Sequence, residues 1–208
     1  MEQIIQANGD ETALKAQIRE SFGRVVYSAK THEKCADLCM RRLSWIKMAQ
    51  ITLSALITGG LLAALLGAPK ISYGATLAST VISTVLLVLS AYMKDVDPGQ
   101  RAENHKKTAA ELWYIRESYL SMLTDLCDGG LDLQAARDKR DELQERLVSI
   151  YATAPRTTAK AYGVASDGLK RLEELTFSDE EIDLFLPVKI RSTSARMTRD
   201  SALHQGSS

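Results

Sequence analysis

Polar and apolar positions are segregated along this chain rather than mixed. Residues 48–69 carry no charge, and residues 71–93 carry none. Each run exceeds twenty residues, which at about 1.5 Å per residue makes a helix of roughly 33 Å, the thickness of a bilayer's hydrocarbon. Only Gly67, Ala68, Pro69 and Lys70 separate the two. The pattern predicts a transmembrane helical hairpin with spans at 48–66 and 71–93.

Outside the hairpin the periodicity is helical. Residues 11–47 contain no proline, and Gly23 alone interrupts them; Leu14, Ile18, Val25, Tyr27 and Leu38 alternate with charges as on a half-exposed helix. That helix runs into the first span without a break, and residues 1–10 read as frayed. Asp97-Pro98-Gly99 supplies an N-cap followed by proline at the first helical position. From there Leu112, Ile115, Tyr119, Met122 and Leu126 step by threes and fours, a seam for packing against another helix. Asp128-Gly129-Gly130 ends it. A second helix carries Leu133, Ala136, Leu143, Leu147 and Ile150 on one face and stops before Pro155; a third spans roughly 158–175. Ser178 and Glu181 form a capping-box pair ahead of Leu186-Pro187. Residues 188–208 read as a disordered basic tail. The fold class is an all-α membrane protein: a two-helix transmembrane hairpin with a long cytoplasmic N-terminal helix and a cytoplasmic helical domain over 98–187.

Formal net charge is zero, and no basic stripe with interleaved aromatics appears, so direct nucleic-acid binding is not expected. Flanking charge fixes orientation. Arg41, Arg42 and Lys47 precede the first span, and Lys94, Arg101, Lys106 and Lys107 follow the second, while the turn holds only Lys70. The positive-inside rule then places both termini in the cytoplasm, with Trp45 and Tyr92 at the inner interface and Tyr73 at the outer one. Cys35, Cys39 and Cys127 fall on the cytoplasmic side as reduced thiols.

The spans carry polar side chains in register. At about 100° per residue, Ser72, Thr76, Ser79, Ser83 and Ser90 fall within about a sixth of the second helix's circumference, and Thr80 and Thr84 widen the stripe. The first span has Gln50, Ser54 and Thr58, and Ala55, Gly59 and Ala63 at small-xxx-small spacing, which permits close helix approach. Two readings fit the hydroxyls. They line a water-filled pore in an oligomer, or they pack between helices and bond to carbonyls one turn back. Two helices each about 10 Å wide enclose no lumen, so a pore takes several copies. Neither span holds a charge, so the ion-coupling site of an active transporter is missing.

Catalytic chemistry finds no support. His32, Cys35 and Cys39 share a helical face and could in principle chelate zinc, but a fourth ligand is missing, and buried His and Cys are ordinary core residues. Asp179, Glu180 and Glu181 suit a helix N-terminus and, with Asp183, have no nearby base, nucleophile or metal ligand. Gly129-Gly130 lacks the context of a phosphate loop. No catalytic residue, metal or cofactor is assigned.

The layout resembles a known family. A basic helix (YSAKTHEKCADLCMRR, 27–42) enters a tight two-helix hairpin. A charged helix follows (ENHKKTAAELWYIRESY, 103–119), and then FSDEEIDLFLP at 177–187. Over roughly residues 15–190 this is similar to the SLATT family, two-transmembrane effectors that associate with SMODS nucleotidyltransferases and SLOG domains. The resemblance implies a prokaryotic antiviral effector of abortive infection. Such a protein assembles in the inner membrane and permeabilises or depolarises it when a cyclic oligonucleotide or sensor partner signals. The implied partners are a nucleotidyltransferase, a SLOG sensor or a reverse transcriptase. The resemblance carries no catalytic residues.

The resulting expectation is a homo-oligomeric pore in the lipid bilayer. The second span's stripe faces inward, and the seam Leu112, Ile115, Tyr119, Met122 and Leu126 serves as an oligomer collar. A non-conducting anchor or scaffold for a cytoplasmic enzyme is the competing class. A soluble enzyme would require the apolar runs to be core helices.

Overall fold

The computed structural model describes residues 2–66 and 69–171, with Leu175 and Ile182; its described side chains begin at residue 11 and omit 67–72. The expected capping box, the acidic cluster, the 177–187 motif and the basic tail lie outside the described residues. Two compact units divide the chain, residues 1–165 and 166–208. The first contains everything discussed below; of the second, the last residues of a helix are described.

The described residues form helices and no strand. Helix α1 (Glu2–Leu66) is one continuous rod of 65 residues, about 97 Å at 1.5 Å per residue. It begins at Glu2. No proline precedes Pro69, so nothing within α1 removes a backbone donor. Prolines instead punctuate the elements. Pro69 opens α2 (Pro69–Val96) and Pro98 opens α3 (Pro98–Cys127). Pro155 follows α4 (Leu133–Thr153), whose C-cap Ala154 is pushed into extended backbone. Helix α5 (Ala159–Arg171) starts after Thr158, whose hydroxyl accepts from the Ala161 amide at 3.2 Å.

Helices α2 and α3 return alongside α1 along its length. Cross-pairs step steadily down the rod: Gly60 with Ser79, Gln50 with Ser90, Arg42 with Tyr92, His32 with His105, and Phe22 with Arg116. The break between α2 and α3 is one residue. Asp97 sits at φ 35°, ψ 73°, and its carboxylate accepts from the Gln100 amide at 2.9 Å, the cap expected from the sequence. Gly129, at φ 70°, takes the left-handed position after α3. Asp132 then caps α4 by accepting from the Gln134 and Ala135 amides.

A single heptad frame governs α1. Ile18, Val25, His32, Cys39, Ile46, Leu53 and Gly60, each seven residues from the last, all face inward. In the stem, at the N-terminal end of α1, the inward residues meet α3 and α4. Ile18, Val25 and Ala29 pack with Leu112, Ile115, Tyr119, Met122, Ala136, Leu143 and Ile150 in one core. Each such aliphatic side chain contributes about 1.5–3 kcal/mol by leaving water.

Toward the hairpin only two helices remain, and apolar surface turns outward. Leu65 and Leu66 are more than four-fifths exposed, and Leu62, Leu77, Val81, Leu87 and Val88 more than half. The apolar windows of the two spans are almost entirely unburied. Buried core helices of a soluble protein would show the reverse. The exposed apolar surface matches a lipid environment, and the chain is a membrane protein.

Candidate functional site

The hairpin is built on a two-helix seam. Leu43, Ile46, Gln50, Leu53, Ile57, Gly60 and Ala64 of α1 are half-buried, spaced alternately by three and four. Against them lie Ala75, Ser79, Ile82, Leu86, Leu89, Met93 and Val96 of α2, spaced the same way. This is the a/d pattern of a left-handed coiled pair. The helices approach closely at Gly60, where an added Cβ would stand 2.6 Å from the Ser79 hydroxyl oxygen.

The small-xxx-small set expected for helix packing lies elsewhere within the protomer. Ala55, Gly59 and Ala63 are exposed, and Gly59 has nothing within 4 Å of where its Cβ would be. They lie on the face of α1 turned away from α2. The seven-residue spacing Ile46, Leu53, Gly60 was the signal that pointed to Gly60.

The polar side chains divide between seam and flank. Ser79 is buried against α1, so it is a packing residue within the hairpin and leaves the set available to line a pore. Thr76, Thr80, Ser83 and Ser90 are exposed on α2, and Ser54 and Thr58 on α1. Ser72 lies where side chains are not described. Gln50 borders the seam and donates through Nε2 to the Ser90 hydroxyl at 3.3 Å, bridging the spans. Helix geometry puts these residues, Thr80 excepted, on one side. At 100° per residue Ser54 and Thr58 lie about 75–115° from the α1 seam, and Thr76, Ser83 and Ser90 lie about 65–105° from the α2 seam. Because the helices are antiparallel, these equal senses of rotation reach the same flank.

Three of the hydroxyl protons on α1 and α2 are used internally. Thr58 donates to the Ser54 carbonyl at 3.0 Å, Thr80 to Thr76 at 2.9 Å and Ser83 to Ser79 at 2.8 Å. Each of these three oxygens keeps acceptor capacity. At the stem end of the hairpin, Arg42 donates to the Tyr92 hydroxyl, and its guanidinium stands 5.5 Å from that ring.

The stem corrects a second expectation. Leu112, Ile115, Tyr119, Met122 and Leu126 are all buried, four of them completely, against α1 and α4 of the same chain. They hold the protomer together and offer no surface to a second copy. The spacing identified a packing seam correctly, but it could not tell an internal partner helix from an external one. The Tyr119 hydroxyl is buried without a hydrogen bond of ordinary geometry; burial pushes its pKa up, with Ser21 opposing.

His32 meets a partner that sequence reasoning missed. Its Nδ1 lies 3.0 Å from Nδ1 of His105, with both rings buried between α1 and α3. Burial, together with the neighbouring His105, lowers His32 to about 4. Burial and Arg101 lower His105. Both are held neutral, one donating and one accepting. Cys35 is buried and Cys39 half-buried, but no group of three or more His, Cys, Asp or Glu among the described residues is placed to hold a metal.

No curated protein and no solved structure matches the chain. A family model does, over residues 14–181, covering the hairpin, the stem and α5. By that match this chain belongs to the SMODS and SLOG-associating 2TM effector domain family 4, the SLATT family to which its layout is similar.

Proposed function

We propose that this membrane effector domain of a prokaryotic conflict system acts as a homo-oligomeric pore. Several hairpins pack around an axis with their hydroxyl flanks inward, and a signal opens them to depolarise the inner membrane. The observation that carries the reading is the collection of Ser54, Thr58, Thr76, Ser83 and Ser90 on one flank of a lipid-exposed hairpin. Helices that merely anchored a partner would have no need to sort hydroxyls to one side. The opposite face of α1, with Ala55, Gly59 and Ala63 exposed, suits close packing against a neighbouring hairpin. Both chain ends then lie in the cytoplasm, and no catalytic step is involved.

Signalling in this scheme enters through the stem. SMODS or SLOG partners fit the family's name. A trigger opens the assembly only by binding the open and closed arrangements with different affinity. Because α1 continues unbroken from stem to membrane, a change in stem packing reaches the hairpin without an intervening joint.

Planar-bilayer recording tests the proposal. The wild-type protein is expected to conduct, and Thr76→Leu with Ser83→Leu to abolish the current while the protein still inserts. Undiminished current in that variant would remove the flank from the pore. The anchor reading is favoured by the internal bonding of Thr58, Thr80 and Ser83; it predicts no dye uptake or depolarisation on induced expression.

A further inference from the structure

The two flanks of the hairpin are not alike, and the pore reading uses only one. The flank turned away from Ser54 and Ser83 is apolar along the spans. Val81, Val85 and Val88 of α2 lie on it, each more than half exposed, with Leu56 of α1 exposed on the same side. At about 100° per residue these four stand roughly 65–130° from the seams, in the sense opposite to the hydroxyls.

At its stem end this flank changes character. The same geometry turns Arg42 and Trp45 of α1 and Tyr92 of α2 onto it, and the contact between Arg42 and Tyr92 joins two of the three directly. The pairs Gly60 with Ser79 and Gln50 with Ser90 set the antiparallel register. By that register Trp45 is level with about residue 94, and Tyr92 with about residue 47. The three side chains therefore meet where the charge-free runs end. Each of them can donate. Arg42 makes its one hydrogen bond to the Tyr92 hydroxyl and has no ion pair among the described residues. Tyr92 accepts that bond and keeps its own proton to give. Trp45 is 73% exposed, and its indole N–H is a donor only. At this height Arg41, Arg42, Lys47 and Lys94 face two carboxylates, Asp95 and Asp97, and Asp97 is committed to the Gln100 amide.

We propose that this flank binds an anionic glycerophospholipid, its phosphate held by Arg42, Trp45 and Tyr92 and an acyl chain lying along Val81, Val85 and Val88. A phosphodiester offers acceptors alone, which suits a cluster of donors, and its charge gives Arg42 the anionic partner it lacks. The attached chain accounts for the valines, which a soluble phosphate would leave uncovered. Basic charge near a membrane is common, but it does not choose a flank. Lys47 lies at the same height on the hydroxyl side, and both aromatic rings of this end turn away from it. That the hydroxyl flank then faces an axis rests on the pore reading above; the lipid binding itself does not.

The test is quenching of Trp45 fluorescence by brominated lipids in vesicles containing the full chain. Trp113→Phe leaves Trp45 as the single tryptophan. Dibrominated phosphatidylglycerol is compared with dibrominated phosphatidylcholine over a range of mole fractions. Both are expected to quench, with phosphatidylglycerol favoured about fivefold, the worth of one cation at an anionic surface. Arg42→Gln is expected to bring that ratio to about one, and Tyr92→Phe to lower it about threefold, the range of one hydrogen bond. Lys47→Gln makes the same charge change on the other flank and is expected to leave the ratio as in the parent. Soluble glycerol 3-phosphate is expected to displace neither lipid. No preference in the parent, equal losses in Arg42→Gln and Lys47→Gln, displacement by glycerol 3-phosphate, or a Trp45 that neither lipid quenches would overturn the proposal. The readout involves no current, so its failure leaves the bilayer measurement standing, and a silent bilayer leaves this one standing.

Discussion

His32 and His105 face each other Nδ1 to Nδ1 at 3.0 Å in the buried centre of the stem. The contact needs one donor and one acceptor, so it survives only while at least one imidazole is neutral. Both pKa values lie below the ordinary histidine value, His32 at about 4. Unfolding releases both rings to about 6.5, so the unfolded chain takes up more protons as pH falls. The stabilisation is complete above about pH 6.5 and is lost as pH drops from there toward the folded value of about 4. Thermal unfolding in detergent, followed by circular dichroism at about pH 7.5 and about pH 5, on either side of the free-histidine value, is expected to show a lower midpoint in the acid sample. The double variant His32→Leu/His105→Leu is expected to lose most of that difference.

At Gly60 the expected cost is steric. Gly60→Ala sets a methyl group against the Ser79 hydroxyl and is expected to destabilise the hairpin by about 1–3 kcal/mol, the range for overpacking. Gly59→Ala meets nothing within the protomer and is expected to leave the stability of the single hairpin unchanged. Adding Ser79→Ala to Gly60→Ala should recover part of the loss, a coupling that a double-mutant cycle in detergent measures directly.

Within the stem core, two neighbours should behave oppositely. Ile115→Ala empties a fully buried site and is expected to cost about 2–5 kcal/mol. Tyr119→Phe removes a buried hydroxyl that lacks a hydrogen bond and is expected to leave stability unchanged or raise it. Denaturation midpoints of the two variants against wild type provide the check.

If the hydroxyl flank lines the conduit, its chemistry sets ion preference. Thr58 and Ser83 spend their protons on carbonyls one turn back, so what they can still offer an ion is acceptor capacity. Currents under a salt gradient are expected to reverse on the cation side. Reversal at zero or on the anion side would contradict the assignment.

Much of the architecture is legible without coordinates. Charge exclusion over 48–69 and 71–93 marks the two membrane helices, because placing Lys, Arg, Asp or Glu in hydrocarbon is costly. Asp97-Pro98 announces its own cap. The faces are harder. A lone helix wheel groups Ala55 with Gly59, and Ser79 with Ser83, equally well, and only the position of α2 reveals that Gly60 and Ser79 touch. His32 groups with Cys35 and Cys39 because they share a helix. Its true partner is 73 residues away, a distance no local period encodes. The seam from Leu112 to Leu126 is visible in the spacing, but pattern alone does not say whether the helix filling it belongs to the same copy.

One last property follows from how unequally the two sides of this long antiparallel pair are jointed. The outgoing side, α1, has no break from Glu2 to Leu66, whereas the returning side is interrupted at Asp97 by a left-handed residue. Under the pore proposal, a change in stem packing would have an uninterrupted path to the membrane along α1, and Asp97 would be the one place on the returning side where the backbone could yield.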